Sequence, residues 1–172
     1  QVRAYEDSQH RRQLAAAIVK GSIHNMRTNV VYYNGRDHDL DSVIEDLEAA
    51  AARVDESLPI DELMGIEATA KKAYYRSFNQ ILPSEFQLTQ REYNPPPNEI
   101  NSLISFGNSL VYANCVSAIR ATALDPTISY LHEPGERRYS LSLDIADLFK
   151  PVLADRVLFR LVNRNQISES DF

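Results

Sequence analysis

Apolar residues recur every three to four positions over most of this chain, the helical period. No stretch alternates with the period of two that marks a half-buried strand. Over residues 8–32, Leu14, Ala17, Ile18, Gly21, Asn25 and Thr28 share helical spacing, and Asn34-Gly35 ends the run. A second helix is expected from Asp39 to Asp55, capped by Asp39 or Asp41, with Val43, Ile44, Leu47 and Ala51 as its stripe. A third starts at Ser57-Leu58-Pro59, carries Asp61 and Glu62 in its first turn where acids suit the helix dipole, and runs to Ile81 before Pro83. Pro95-Pro96-Pro97 forms a stiff, non-helical connector. A fourth helix, Asn98 to Ala123, is apolar on most sides and is expected at the centre of the domain. Asp125-Pro126 breaks the pattern, and residues 127–139 read as a loop. A last helix begins near Ser140 or Ser142 and continues to Arg164, kinked or split by Pro151. The expectation is an all-α fold: one domain, five to six helices around a buried central helix.

Against this pattern a few polar residues stand out. Glu67 falls inside the stripe made by Leu63, Ala70, Tyr74, Phe78 and Ile81. A carboxylate on an apolar face must be paired, protonated or bound to a metal. The plainer alternative is an i,i+4 pair with Lys71. Asp144 and Asp147 are three residues apart on one helix and point the same way. Two like charges that close call for a cation between them, and Mg²⁺ or Mn²⁺ suits carboxylate oxygen. First-turn acids are also favoured by the helix dipole with no ligand at all. His132, in the loop Leu131-His132-Glu133-Pro134, is a candidate ligand or acid–base group, and Glu133 competes with it as a nearby carboxylate. Lys71, Lys72 and Arg76, with Arg137 and Arg138 after the histidine loop, are candidates for holding phosphates, or else a solvated basic face. Asn101, Asn108 and Asn114 on the apolar fourth helix need partners if buried. The tyrosines lack the Arg/His companions of a recombinase nucleophile, and no Gly-rich phosphate loop, Walker motif or HExxH is present.

Composition changes the picture in two respects. The formal charge of −6 argues against nucleic-acid binding by bulk charge, so any DNA surface must be local or assembled with a partner. The single cysteine, Cys115, rules out an internal disulfide and a cysteine-built zinc site, and fits a reducing cytoplasm, where the protein is expected. No run approaches the roughly 18 apolar residues of a membrane span, and the start, Gln1-Val2-Arg3-Ala4-Tyr5, lacks a signal peptide's apolar core.

Several segments resemble one family, in order along the chain. Residues Gly21 to Arg27 resemble a helix ending in K-[IL]-x-N-x-R. Gly65-Ile66-Glu67-Ala68 resembles G-x-E-[GA], and Ser102 to Leu110 resembles N-x-L-L-S-F-G-Y-x-L. Leu124-Asp125-Pro126 followed by Tyr130-Leu131-His132 resembles L-D-P…F-L-H, and Ser142 to Pro151 resembles L-x-x-D-[LI]-x-[ED]-x-[FY]-[RK]-P. Together they are similar to the CRISPR-associated integrase of spacer acquisition, across essentially the whole chain. The resemblance implies that residues 1–172 are its C-terminal helical catalytic lobe, truncated at both ends, without the family's N-terminal β-rich dimerisation domain. It implies a metal triad of Glu67, His132 and Asp147, with Asp144 as a further active-site aspartate, and Mg²⁺ or Mn²⁺ as cofactor. It further implies DNA endonuclease and strand-transfer activity, in which a 3′-OH attacks a repeat-end phosphodiester. The partners implied are spacer and repeat DNA, a second copy of the chain, and a small ferredoxin-like protein. Two other readings stay open: a catalytically silent helical interaction module, whose polar residues would not converge, and a metal-dependent phosphohydrolase, whose pocket would be closed.

Overall fold

The computed structural model describes residues 1–36, 38–133 and 139–172. Among these the chain is helical, with no strand. A short α1 (Val2–Glu6) leads into α2 (Ser8–Asn34), which starts where the Asp7 carboxylate accepts from the amides of Gln9 and His10 at 3.0 and 3.1 Å. The next helix, α3, spans Asp41–Ala52. Neither Asp39 nor Asp41 caps its first turn as expected. Instead Asn34, at the end of α2, accepts from the Leu40 amide at 2.6 Å and donates to Asp41 at 2.8 Å, so one side chain joins the two helices. The third expected helix is divided at Ser77 into α4 (Ile60–Arg76) and α5 (Phe78–Ile81), followed by a 3₁₀ turn at Ser84–Phe86. Then come α6 (Glu99–Arg120), α7 (Ser140–Lys150), a π turn over Pro151–Asp155, and α8 (Arg156–Asn163).

The expected position of the fourth predicted helix needs correcting. That helix, α6, is not buried all round: Phe106 is 66% exposed and Leu110 50%. Although α6 is long and apolar enough to cross a membrane by length and composition, it lies along α7 instead. The helix at the centre is α2, which packs against α1, α3, α4, α7 and the π turn. Small residues explain this. Ala15, Ala16, Val19, Ser22 and Ile23 are buried and let neighbours close in on several sides. The core draws on α2, α3, α4, α5, α6 and α8, and in it Phe78 of α5 and Phe159 of α8 meet edge-on with ring centres 4.6 Å apart. Each such fully buried side chain contributes about 1.5–3 kcal/mol.

Pro151 splits the last helix, as its missing N–H requires. The Asp147 carbonyl, four residues back, would otherwise accept from that N–H. The Ser22 hydroxyl of α2 donates to it instead at 3.2 Å, and Asn25 donates to the next carbonyl, Leu148, at 2.7 Å. Gly21 allows this approach, since a Cβ there would lie 2.7 Å from Leu148 Cδ2.

Candidate active site

The loop before α7 is tied to that helix before it offers any chemistry. Asp125 turns the chain by accepting from the Thr127 amide at 2.8 Å. Leu141 N–H donates to the Pro126 carbonyl at 2.9 Å, and the Ser140 hydroxyl donates to the Thr127 carbonyl at 2.6 Å. Leu131 is fully buried and anchors the loop in the core. One turn into α7, the fully buried Asp144 accepts from the amides of Tyr130, Leu131 and His132 at 2.8, 3.1 and 3.0 Å. Its Oδ1 also lies 2.8 Å from His132 Nδ1. That hydrogen bond raises the imidazole pKa above its ordinary value, against the opposing effect of burial. A carboxylate acceptor at Nδ1 fixes the proton there and leaves the Nε2 lone pair free in the neutral ring. Nε2 faces Asp147, 4.0 Å from its Oδ2.

The two aspartates therefore do not share a cation, as their spacing alone suggested. Asp144 is consumed by the loop and by His132, whereas Asp147 turns to two lysines. Lys71 Nζ lies 2.9 Å from Asp147 Oδ2, and Lys150 Nζ pairs with Oδ1. Burial pushes the Asp147 carboxyl up, but the two ammonium groups outweigh it and hold the pKa at about 2. Lys71 also makes the i,i+4 pair with Glu67 that the spacing allowed, Nζ to Oε1 at 3.0 Å. The ammonium is poorly aimed for a hydrogen bond, and Oε1 is a buried oxygen with no directed donor. Burial raises the Glu67 pKa, with Lys71 opposing. Lys71 itself loses by burial and gains more from Asp147 and Glu67, so its pKa is raised.

Glu67 and Asp147 thus meet on one positive charge, and His132 Nε2 comes within 4.0 Å of Asp147. Among the described residues no three His, Cys, Asp or Glu side chains are close enough, as they stand, to hold a metal ion, because Lys71 occupies the space between the carboxylates. The donor chemistry nonetheless fits a hard divalent cation: two buried carboxylates, one of whose oxygens receives no directed hydrogen bond, and an oriented imidazole nitrogen.

Other candidates are placed as follows. Glu133 points away from the site to Arg11, 2.7 Å off, and is 69% exposed. Arg76 pairs with Asp46 at the surface. Arg137 and Arg138 lie outside the described residues. Asn101 is buried and saturated, accepting from Glu92 N–H and Arg91 at 2.9 and 2.8 Å and donating to the Gln90 carbonyl at 3.0 Å. Asn114 merely bonds back to its own helix, at the Leu110 carbonyl. Sequence reasoning gave no site role to Lys150, although its i,i+3 spacing to Asp147 was visible, nor to Ser22 and Asn25. Their importance depends on which carbonyls Pro151 frees.

Asp147 and Lys150 form one end of a groove of about 540 Å³ that continues past Lys71, Lys72 and Tyr75 to Arg91 and Tyr93. Tyr93 is 72% exposed, with the Arg91 guanidinium over its ring at 4.5 Å. Asn108 lines the same groove with a buried, unpartnered Oδ1.

Comparison with known proteins gives a consistent result. The whole chain, residues 1–172, matches the family model described as CRISPR associated protein Cas1. It is 57% identical over 172 residues to the CRISPR-associated endonuclease Cas1 of Haloferax volcanii, covering 100% of this chain and 52% of that protein. The structure superposes on a Cas1 protein from Thermotoga maritima with a TM-score of 0.84 and 40% identity, covering 98% of this chain and 52% of the other. The fold recurs in a casposase bound to integration product, with a TM-score of 0.82 and 22% identity, covering 99% of this chain and 50% of that one. The chain spans about half the length of the relatives it matches.

Proposed function

Since this chain belongs to the family of CRISPR-associated Cas1 proteins, we propose that it is the helical catalytic lobe of a DNA endonuclease and integrase that inserts spacer DNA into a CRISPR array. The observation that carries this reading is the meeting of Glu67 and Asp147 on one ammonium, Lys71, with His132 Nε2 4.0 Å from Asp147, beside a groove that Lys71 and Asp147 line.

In this reading Glu67, Asp147 and His132 Nε2 hold a divalent cation, Mg²⁺ or Mn²⁺. When bound, such an ion supplies Lewis-acid stabilisation of the charge that develops on a phosphoryl oxygen. The chain's own residues do the rest. Asp144 keeps the proton on His132 Nδ1 and holds the ring in place through three backbone amides. Lys150, and Lys71 once drawn off the carboxylates, present ammonium groups to the scissile phosphate. Lys72, Arg76 and Arg91 flank the strand leading to it. A 3′-OH attacking phosphorus forms a new phosphodiester and releases the 3′-OH of the broken strand. Water in its place gives cleavage.

The convergence favours a catalytic reading over a silent interaction module, and an open groove favours a polymer over a small phosphate ester. The partners proposed are spacer and repeat DNA, a second copy of the chain and a small ferredoxin-like protein. With a net charge of −6 the positive surface is local, and the partners add to it.

The test is strand transfer and nicking by Glu67→Ala and His132→Ala in the full protein that carries this chain. Both activities should fall by at least roughly a hundredfold, the scale of losing one preorganised active-site group, while DNA affinity stays within a fewfold. Integration at the unmodified rate by either variant overturns the assignment.

A further inference from the structure

A second positive surface lies away from the carboxylate site. On α8, Arg156 and Arg160 leave successive turns of one helix face, about 6 Å apart along the axis, and Arg164 follows at the same four-residue spacing as the helix's C-cap. Arg36, just past the end of α2, joins them around a hollow of about 320 Å³. Tyr32 is held between two guanidinium groups, Arg36 at 4.1 Å and Arg156 at 4.9 Å from its ring centre. Among the described residues, Arg156, Arg160 and Arg164 have no carboxylate within ion-pair distance. Arg160 and Arg164 are exposed and make no side-chain hydrogen bond there. In a chain with more acids than bases, four arginines gathered on one patch are otherwise self-repelling.

We infer that this patch is a second nucleic-acid contact, binding the sugar–phosphate backbone of DNA that extends beyond the groove. The inference rests on the DNA reading above but concerns a separate surface. Arginine at successive turns makes a track for a row of phosphates, and the two guanidinium groups over Tyr32 are held in place beside it. An enclosed cup would suit a single small anion, whereas these side chains stand open along a helix. Position also favours DNA. On α2, Ser22 bonds to the Asp147 backbone and Tyr32 lies in the patch, ten residues later. That is about 15 Å along the helix, or roughly four to five base-pair steps of duplex.

The experiment is a salt titration of DNA binding by the full protein that carries this chain, comparing it with R160Q/R164Q. Losing two phosphate contacts should flatten the plot of log affinity against log salt by about 1.8, at about 0.9 per phosphate. R160K/R164K should restore most of the slope, and nicking of a short oligonucleotide that reaches only the groove should be unchanged. An unchanged slope in R160Q/R164Q overturns the inference while leaving the catalytic reading intact. So does an unchanged slope accompanied by loss of stabilisation by inorganic phosphate, which marks a small-anion site, or by loss of an acidic protein partner. If the unsubstituted protein binds no DNA, the catalytic reading fails as well. Should R160Q/R164Q unfold, the single variants R160Q and R164Q decide instead, each expected to flatten the slope by about 0.9.

Discussion

Lys71 and Asp147 come from different helices, yet the lysine ammonium lies 2.9 Å from the aspartate Oδ2. The same ammonium lies 3.0 Å from Glu67, so one half-buried cation holds two buried carboxylates that would otherwise repel. A divalent ion bound by these carboxylates would compete with this ammonium for one position.

Replacing Lys71 by alanine should lower the Tm of the metal-free protein. Breaking a buried pair leaves an uncompensated charge, at a cost of about 3–5 kcal/mol. Mn²⁺ should return most of that loss and raise the Tm of Lys71→Ala more than that of the unsubstituted protein. Equal shifts in both, measured by calorimetry, would show that Lys71 does not hold the cation position.

Asp144→Asn should keep the fold, because an amide oxygen at the Oδ2 position still accepts from the Tyr130 and Leu131 amides, although the His132 amide loses its acceptor. Its NH₂ group then faces His132 Nδ1 and favours the other tautomer, with the proton on Nε2. Mn²⁺ affinity and strand transfer should fall about 10–100-fold, as when the orienting partner of a metal-binding histidine is changed. Nitrogen-15 NMR of the imidazole checks the cause: an unshifted tautomer would refute it.

Ser22→Ala and Asn25→Ala each leave a carbonyl of α7 without its donor. Each should cost roughly 1–3 kcal/mol, or several degrees of Tm. In Ser22→Ala part of the loss should also appear as weaker Mn²⁺ binding, since the Asp147 backbone is the group released. Thr28→Ala, whose hydroxyl only bonds back to His24 in the same exposed turn, is the control and should shift Tm little.

Asp155 gives a pH signature. It is buried beside Tyr74, whose hydroxyl donates to it at 3.0 Å while accepting from Asn29 at 2.8 Å. Burial lifts its pKa from 3.8 to about 7. Below pH 4 the carboxyl is protonated folded or unfolded. Between pH 4 and 7 the unfolded chain binds fewer protons than the folded one, so this group's stability is progressively lost as pH rises to about 7. Asp155→Asn should remove that dependence. The gap in Tm between it and the unsubstituted protein should move in the variant's favour by several degrees from pH 4 to pH 8. A gap that stays constant would mean that Asp155 is ionised in the fold.

The helices and the site residues were legible for different reasons. The period of apolar positions located all the long helices, because burial of one face is written directly in spacing. It misplaced the centre, since which helix is surrounded depends on small residues such as Ala15, Ala16 and Gly21, whose effect is to let neighbours approach. Glu67 stood out as a charge on an apolar stripe, and it is buried. The separate duties of Asp144 and Asp147 were not readable. At i and i+3 they share a helix face, and only the folded loop shows that one meets amides and the other lysines. The arginines of α8 carry no mark in the sequence that sets them apart, and it is the fold that delivers Tyr32 and Arg36 beside them.

The π turn at Pro151–Asp155 separates two parts of what the sequence writes as one helix. A π turn holds one residue more than the α-helix it interrupts. Deleting one residue from 152–154 would restore continuous winding and swing everything beyond by about 100°. The aspartates of α7 would stay where the loop and lysines grip them, while Asp155, Phe159 and the arginines rotated off their partners. The turn is a swivel, and its setting lets the half of the helix that carries the carboxylates and the half that builds the core change independently.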